Sequence, residues 1–303
     1  MMMEPVIKIK GTSGERIFDI VNNIIMTLIL IITLYPFLNV LALSFNSSMD
    51  SVKGGITIFP RVFTLDNYIT IIKFGNIPRA FMISVLRTFF GTTTSLIACS
   101  MVAYALSRKN FSFRKILSPF LAITLYVSGG LIPVFLLIRD IKLMNNFLVY
   151  ILPPMVNAFY IFMIRTYMDN LPEELFESAK MDGANDFAIF YKIMMPLCKP
   201  VLATIALFIA VAQWNTWFDT YIYCGSKPEL STLQYELMKI LQNAQLTAGD
   251  AAVYANQAMA IQTVTPDSIK MAITIITITP ILVVYPFLQG YFVEGMTLGA
   301  VKG

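Results

Sequence analysis

Two short stretches of this chain gather side chains able to bind or exchange something. EELFESAKMDGANDFAIFYKIMMP, residues 173–196, gathers five acids, Glu173, Glu174, Glu177, Asp182 and Asp186, in a chain only 13% charged. AVAQWNTWFDTYIY, residues 210–223, sets Gln213, Asn215 and Asp219 among Trp214, Trp217, Phe218 and Tyr221. Amides and carboxylates hydrogen-bond hydroxyls, and aromatic faces stack on the C–H faces of sugar rings. The first stretch is a polar element set between two apolar segments; the second suits a polyhydroxylated solute.

Neither stretch is equipped for bond-breaking chemistry. The sequence has no histidine, which removes the commonest general base and metal ligand. Cys99, Cys198 and Cys224 lack any CxxC spacing, so no metal site or disulfide framework is indicated, and they read as small buried hydrophobes. There is no GxxxxGK[ST] loop to cradle ATP.

The surroundings of both stretches are apolar. Of 303 residues 57% are hydrophobic and the mean hydropathy is +0.69, outside the range of soluble proteins. A net charge of +4 without a basic run argues against nucleic acid as a partner. Residues 1–17 are too polar for a signal peptide and the first apolar run is too long for its core, which predicts an uncleaved N-terminus. A helix needs about 20 mostly apolar residues to cross a bilayer. Six segments qualify, near 18–46, 81–107, 117–138, 147–165, 200–224 and 268–292. This predicts an all-α membrane protein: a short N-terminal segment, 1–17, then one six-span domain over 18–303. The loop RKNFSFRK, with Arg108, Lys109, Arg114 and Lys115 and no acid, resists translocation and sets both termini and the loop 166–199 in the cytoplasm.

Within that loop, Pro172 with Glu173 and Glu174 behind it favours a helix start, and Gly183 offers the left-handed conformation that ends helices. Asn185 or Asp186 can cap a second helix running to Lys192, before Pro196 and Pro200. The result is a polar helix-turn-helix with Ser178, Ala179, Gly183 and Ala184 around the bend. An ordinary solvated loop is the plainer alternative.

In the spans, Arg87 lies about six residues into the second, where it either lines a cavity, suiting an acidic solute, or snorkels to the surface. At helical spacing Trp214, Trp217 and Tyr221 share one face of the fifth, with Asn215 and Asp219 close by. They line a solute path or form an interfacial aromatic belt. Gly129, Gly130 and Pro133 interrupt the third span and should bend it.

The stretch 173–196 resembles the EAA motif of bacterial ABC importer permeases. Glu177, Ala179, Gly183, Ile193 and Pro196 stand in register, while Ser178 and Met195 depart from the usual Ala and Leu. Asp182 and Ala184 complete the DGA of the sugar-importing branch. FTLDNY (63–68), AYALSR (103–108), SGGLIP (128–133) and the ending YFVEGMTLGAVKG look like the maltose-permease superfamily, and more narrowly its branch for complex oligosaccharides, with Glu294 where a lysine is frequent.

That resemblance implies a type I ABC importer permease of six spans in the bacterial cytoplasmic membrane, multi-pass and without catalysis of its own. It implies a second, non-identical permease subunit, a cytoplasmic ATPase dimer that holds ATP and Mg, and an extracytoplasmic solute-binding protein met by the outer loop 225–267. The EAA element would be the coupling helix in the ATPase groove, with Glu177 at the contact, Ala179, Gly183 and Ala184 allowing close approach, and Phe187, Phe190 and Ile193 fastening the second helix to the spans. Oligosaccharide would pass Trp214, Asn215, Trp217, Asp219 and Arg87. An ABC permease for another small solute is the alternative. A membrane-embedded enzyme lacks its nucleophile, base or metal cluster, and a secondary transporter lacks a repeated half and an intramembrane acid pair.

Overall fold

The computed structural model describes residues 13–74, 76–246 and 264–300, with side-chain surroundings for 14–73, 76–242 and 264–286. Most of residues 1–17, the middle of the segment 225–267 expected as an outer loop, and the last three residues therefore lie outside the described residues. Among those described there is no strand, only an isolated bridge between Asn46 and Phe63. The helices are α1 (Ser13–Ser44), α2 (Ser48–Ser51), α3 (Asp66–Phe74), α4 (Ile77–Ser107), α5 (Arg114–Tyr126), α6 (Leu131–Asp140), α7 (Ala158–Asp169), α8 (Glu174–Met181), α9 (Asp186–Ile189), α10 (Met195–Leu197), α11 (Lys199–Asn215), α12 (Phe218–Cys224), α13 (Leu233–Leu246) and α14 (Pro266–Ala300).

Three of these helices are long and apolar enough to cross a membrane by themselves, over 14–44, 77–107 and 266–286. Two bent pairs bring the number to five if each is one span. By length and composition the described residues thus hold three to five candidate spans where six are expected, for local reasons. The expected fourth, 147–165, is a 3₁₀ turn at Phe147–Tyr150 followed by the 12-residue α7, short of a crossing. The third breaks at SGG, where Gly130 takes φ +81°, and α5 and α6 meet at 117°, a reversal rather than a kink. The fifth is also not continuous: α11 stops at Asn215, Thr216 is extended, and α12 starts at Phe218.

The chain divides into two compact units. In the first, residues 1–70 with 253–275, apolar side chains of α1 such as Ile24, Leu28 and Ile32 open outward, as a lipid-exposed helix requires. After it comes a knot built on two asparagines. Asn67 donates to the carbonyls of Ser44 (2.8 Å) and Asn46 (3.0 Å) and accepts from the Ser48 hydroxyl (3.0 Å). Asn46 accepts from the Val62 N–H (2.9 Å) and donates to Asp50, which also accepts from Arg61 Nε at 2.9 Å. The family-like FTLDNY is thus, through Asn67 and Tyr68, a local loop lock.

The second unit, residues 71–252 with 276–303, is built on α4, which packs against α7 and α11. Its core joins Cys99 and Tyr104 of α4, Ile161 and Ile164 of α7, Ile205 of α11, and Ile189 and Met194 from the segment before α11. All three cysteines are buried and unbridged. Gly91 permits the close approach of α4 to α11: a Cβ there would stand 2.6 Å from Gln213 Nε2.

Candidate functional site

The polar loop forms the helix-turn-helix that its residues predict. Pro172 and Glu173 precede α8, and Gly183 at φ +81° ends it. The Gly183 N–H reaches the Lys180 carbonyl and the Ala184 N–H the Ala179 carbonyl, both at 3.0 Å. This paired arrangement is the Schellman motif, which satisfies carbonyls that a helix end leaves free. Asn185 then caps α9 by accepting from the Ala188 N–H at 2.8 Å. Helical winding continues past the expected stop at Lys192. Phe190–Met194 widens into a π turn and α10 carries the chain to Leu197, where it turns 82° into α11. Pro196 explains the widening, since it brings no N–H and its ring crowds the carbonyl four residues back.

The element has an anchored side and a bare side. Phe176, Ala179, Ile189, Phe190 and Met194 are buried in the core around α4, with Ile193 and Ala184 partly buried against it. Glu177, Ser178, Asp182, Gly183 and Pro196 are exposed, as are Met181 (88%) and Phe187 (68%). Ala179 and Ile193, expected at the ATPase contact and at the spans respectively, both face inward. Phe187, expected to fasten the second helix to the spans, points out of the core. Met181, two residues before the turn glycine, adds an exposed apolar side chain that the motif itself does not mark.

Two basic residues from the end of α4 hold the anchored side. Arg108 lies with Cζ 3.3 Å from the Phe176 ring centroid and 5.1 Å from that of Tyr104, while its Nε and Nη2 donate to Ser107 Oγ. Burial there lowers its pKa below the usual arginine range. Lys109 Nζ donates to Glu173 Oε2, and that bond holds the Glu173 carboxyl below the usual carboxylate range. A pocket of about 540 Å³ opens beside them, lined by Tyr104, Phe111, Glu177 and Lys180 among others.

At the other end of α4 the second stretch is arranged differently from a single helical face. Trp214 is buried on α11: its Nε1 donates to the Thr277 carbonyl at 3.0 Å and its ring meets Phe81 edge-on. It borders an apolar groove of about 310 Å³ with Phe89 and Tyr285. Beyond the break, Trp217, Phe218 and Tyr221 form a cluster with centroids 5.7 to 6.3 Å apart, joined by Tyr235 of α13. Asn215 is exposed and accepts from Gln234 Nε2 at 3.1 Å. Arg87 and Asp219, expected as separate path residues, form an ion pair at 2.5 Å, with the arginine side chain only 3% exposed. The snorkelling alternative for Arg87 is excluded by that burial.

Residues 95–298 match the model for the binding-protein-dependent transport system inner membrane component. The chain belongs to this family. It is a transport permease subunit, not an enzyme. The permease is 35% identical over 97% of its length to the Bacillus subtilis protein LplC, covering 97% of that protein. It is also 35% identical to the B. subtilis polygalacturonan/rhamnogalacturonan transport system permease YtcP, covering 95% of this chain and 99% of that one. A chain in the crystal structure of a bacterial ABC transporter involved in the import of the acidic polysaccharide alginate superposes with a TM-score of 0.83 at 29% identity, over 94% of the permease and 100% of that chain.

Proposed function

We propose that the permease is one of two non-identical spanning subunits of an importer for acidic, polysaccharide-derived oligosaccharides, driven by a separate cytoplasmic ATPase dimer that holds ATP and Mg. The carrying observation is the two-sided build of the α8–α9 element, rooted through Phe176, Ala179 and Arg108 and bare at Glu177, Met181 and Phe187. A rooted element with an exposed acid and two exposed apolar side chains suits seating in a partner's groove, because the partner can push it without unfolding it. Gly183 leaves space at the bend, with no atom within 4 Å of a would-be Cβ. Ser178 and Asp182 flank the contact.

The basic loop 108–115 lies against this element through Lys109 and Glu173, which supports a common cytoplasmic side and both termini there. The opposite end of α4 then faces outward. Solute meets Trp217, Phe218 and Tyr221 with Asn215, near the 225–267 loop that receives the binding protein. The acidic oligosaccharide class is supported by the polygalacturonan/rhamnogalacturonan permease and the alginate importer among the similar proteins.

The test is reconstitution in proteoliposomes of the permease with its sister subunit, ATPase and binding protein, followed by uptake of labelled oligogalacturonides. ATP-dependent accumulation is the expected result. Uptake of neutral maltodextrins with exclusion of oligogalacturonides would sink the acidic assignment.

A further inference from the structure

Arg87, at the end of α4 remote from the coupling element, is 2% exposed, yet every edge of its guanidinium is met. Nε donates to Gln213 Oε1 at 2.9 Å. Nη1 donates to the Thr216 carbonyl at 2.9 Å and to Asp219 Oδ1 at 3.1 Å, and Nη2 to Asp219 Oδ2 at 2.5 Å. Its Cζ lies 4.8 Å from the Tyr150 ring centroid. Such bidentate, charge-assisted bonding fixes geometry as well as charge.

The location of the acceptors gives the cluster its meaning. Thr216 is the extended residue that closes α11, and Asp219 stands in the first turn of α12. Helix ends leave carbonyls and N–H groups without partners, and the C-terminal end favours a cation. Arg87 supplies that cation to the end of α11, and its partner Asp219 supplies a carboxylate to the start of α12, where Oδ1 also accepts from the Thr220 N–H at 2.8 Å. One side chain of α4 therefore ties both halves of the broken span. Gln213 passes the tie on by donating to the Tyr150 carbonyl at 3.2 Å, and the Tyr150 hydroxyl donates to the Leu230 carbonyl at 2.8 Å. Neither glycine nor proline lies at the break, and the side-chain cluster around Arg87 is what the structure places there instead.

We propose that Arg87 is a positioning residue for transport: it sets the angle at which α12 leaves α11, and thereby aims the ledge of Trp217, Phe218, Tyr221 and Tyr235 at the oligosaccharide. The proposal rests on the reading of that ledge as part of the solute path. Arg87 itself touches no solute, because both terminal nitrogens are engaged and the group is covered. Phe218 and Tyr221, by contrast, are 44% and 55% exposed. Selection for acidic solute does not reside in this arginine.

The test uses the complete transporter in membranes, with Phe218→Cys as a reporter for a membrane-impermeant maleimide; the three native cysteines are buried. In that background Arg87→Met and Asp219→Asn should each change the labelling rate severalfold. Without the reporter, each should lower uptake of acidic and neutral oligosaccharides by the same factor. Arg87→Lys keeps the charge and reaches Asp219 but cannot also serve Thr216 and Gln213, so it should fall between. It carries the test alone if Arg87→Met does not accumulate. Loss of acidic uptake only, with unchanged labelling, would make Arg87 a substrate contact and overturn the proposal. Unchanged labelling with unchanged uptake would overturn it as well. Normal uptake in Trp217→Ala, alongside a labelling shift in Arg87→Met, would remove the ledge from the path and leave Arg87 holding the break, so the two failures are distinguishable.

Discussion

The guanidinium of Arg108 meets the rings of both Phe176 of α8 and Tyr104 of α4, with Cζ 3.3 Å from the Phe176 centroid and 5.1 Å from that of Tyr104. A planar cation over a desolvated ring is worth about 1–2 kcal/mol, and an ammonium does not reproduce the stacking. Any push on α8 reaches α4 through this contact and the core beside it. Arg108→Gln should therefore retain ATPase binding while lowering the uptake per ATP hydrolysed, with Arg108→Lys intermediate. The ratio of solute-stimulated ATP hydrolysis to transport in proteoliposomes measures this, and an unchanged ratio in Arg108→Gln would show that α8 is coupled by other contacts.

Gly183 allows backbone strain to be separated from contact with the ATPase. At φ +81° any L side chain costs about 1–2 kcal/mol, and beyond its two chain neighbours no described residue comes within 4 Å of an added Cβ. Gly183→Ala and Gly183→Leu therefore suffer similar strain within the permease, and Gly183→Asn suffers less. If a partner packs on this bend, Gly183→Leu should uncouple hydrolysis from uptake far more than Gly183→Ala, with all variants present in the membrane. Equal loss in Ala and Leu would assign the effect to strain alone, and normal uptake in Leu would remove the bend from the coupling contact.

The contrast between these two sites indicates what the sequence carries. The turn at Gly183 and the cap at Asn185 are local chemistry, written within six residues, and the structure matches them. The reversal at SGG was legible as a bend because glycine marks it, though not as 117°. The break at Thr216 had no such mark. The residue that bonds the Thr216 carbonyl, Arg87, lies about 130 positions earlier, and only packing brings the two together. The same holds for facing. The small residues around the bend made Ala179 approachable and the resemblance made Phe187 an anchor, whereas within this chain Ala179 is buried in the core and Phe187 is exposed, a facing that depends on packing with α4 and not on local sequence. A 12-residue α7 could not be told from a span by hydropathy, since the apolar 3₁₀ turn and loop before it read as its continuation.

Asp50 should give the lock built on Asn46 and Asn67 an acid limit. Its hydrogen bond from Asn46, and then Arg61, hold its carboxyl below the usual carboxylate range. A depressed carboxylate contributes stability above its unfolded pKa and loses it as the pH falls through the folded value. Thermal unfolding of the purified transporter should place the wild type above Asp50→Asn at neutral pH, with the gap closing from about pH 5 toward about pH 3. A gap that stays constant over that window would mean that the charge of Asp50 is not what locks the loop.

The two tryptophans should fail differently when truncated. Trp214 is 6% exposed, packed edge-on against Phe81 and bonded through Nε1 to the Thr277 carbonyl. Removing a buried tryptophan costs about 3–5 kcal/mol, so Trp214→Ala should reduce the amount of folded permease and lower its unfolding temperature, leaving the KM of the surviving fraction near wild type. Trp217 stands past the break, half-buried beside the exposed Phe218 and Tyr221 and outside the core around α4, so Trp217→Ala removes a stacking face at smaller cost to the fold. It should raise the KM for oligosaccharide at normal abundance, and Trp217→Phe should recover part of it. Quantitative membrane immunoblots alongside uptake curves separate the two effects. If Trp214→Ala is abundant and stable yet raises KM, the solute path runs along the apolar groove beside α11 and not over the α12 ledge.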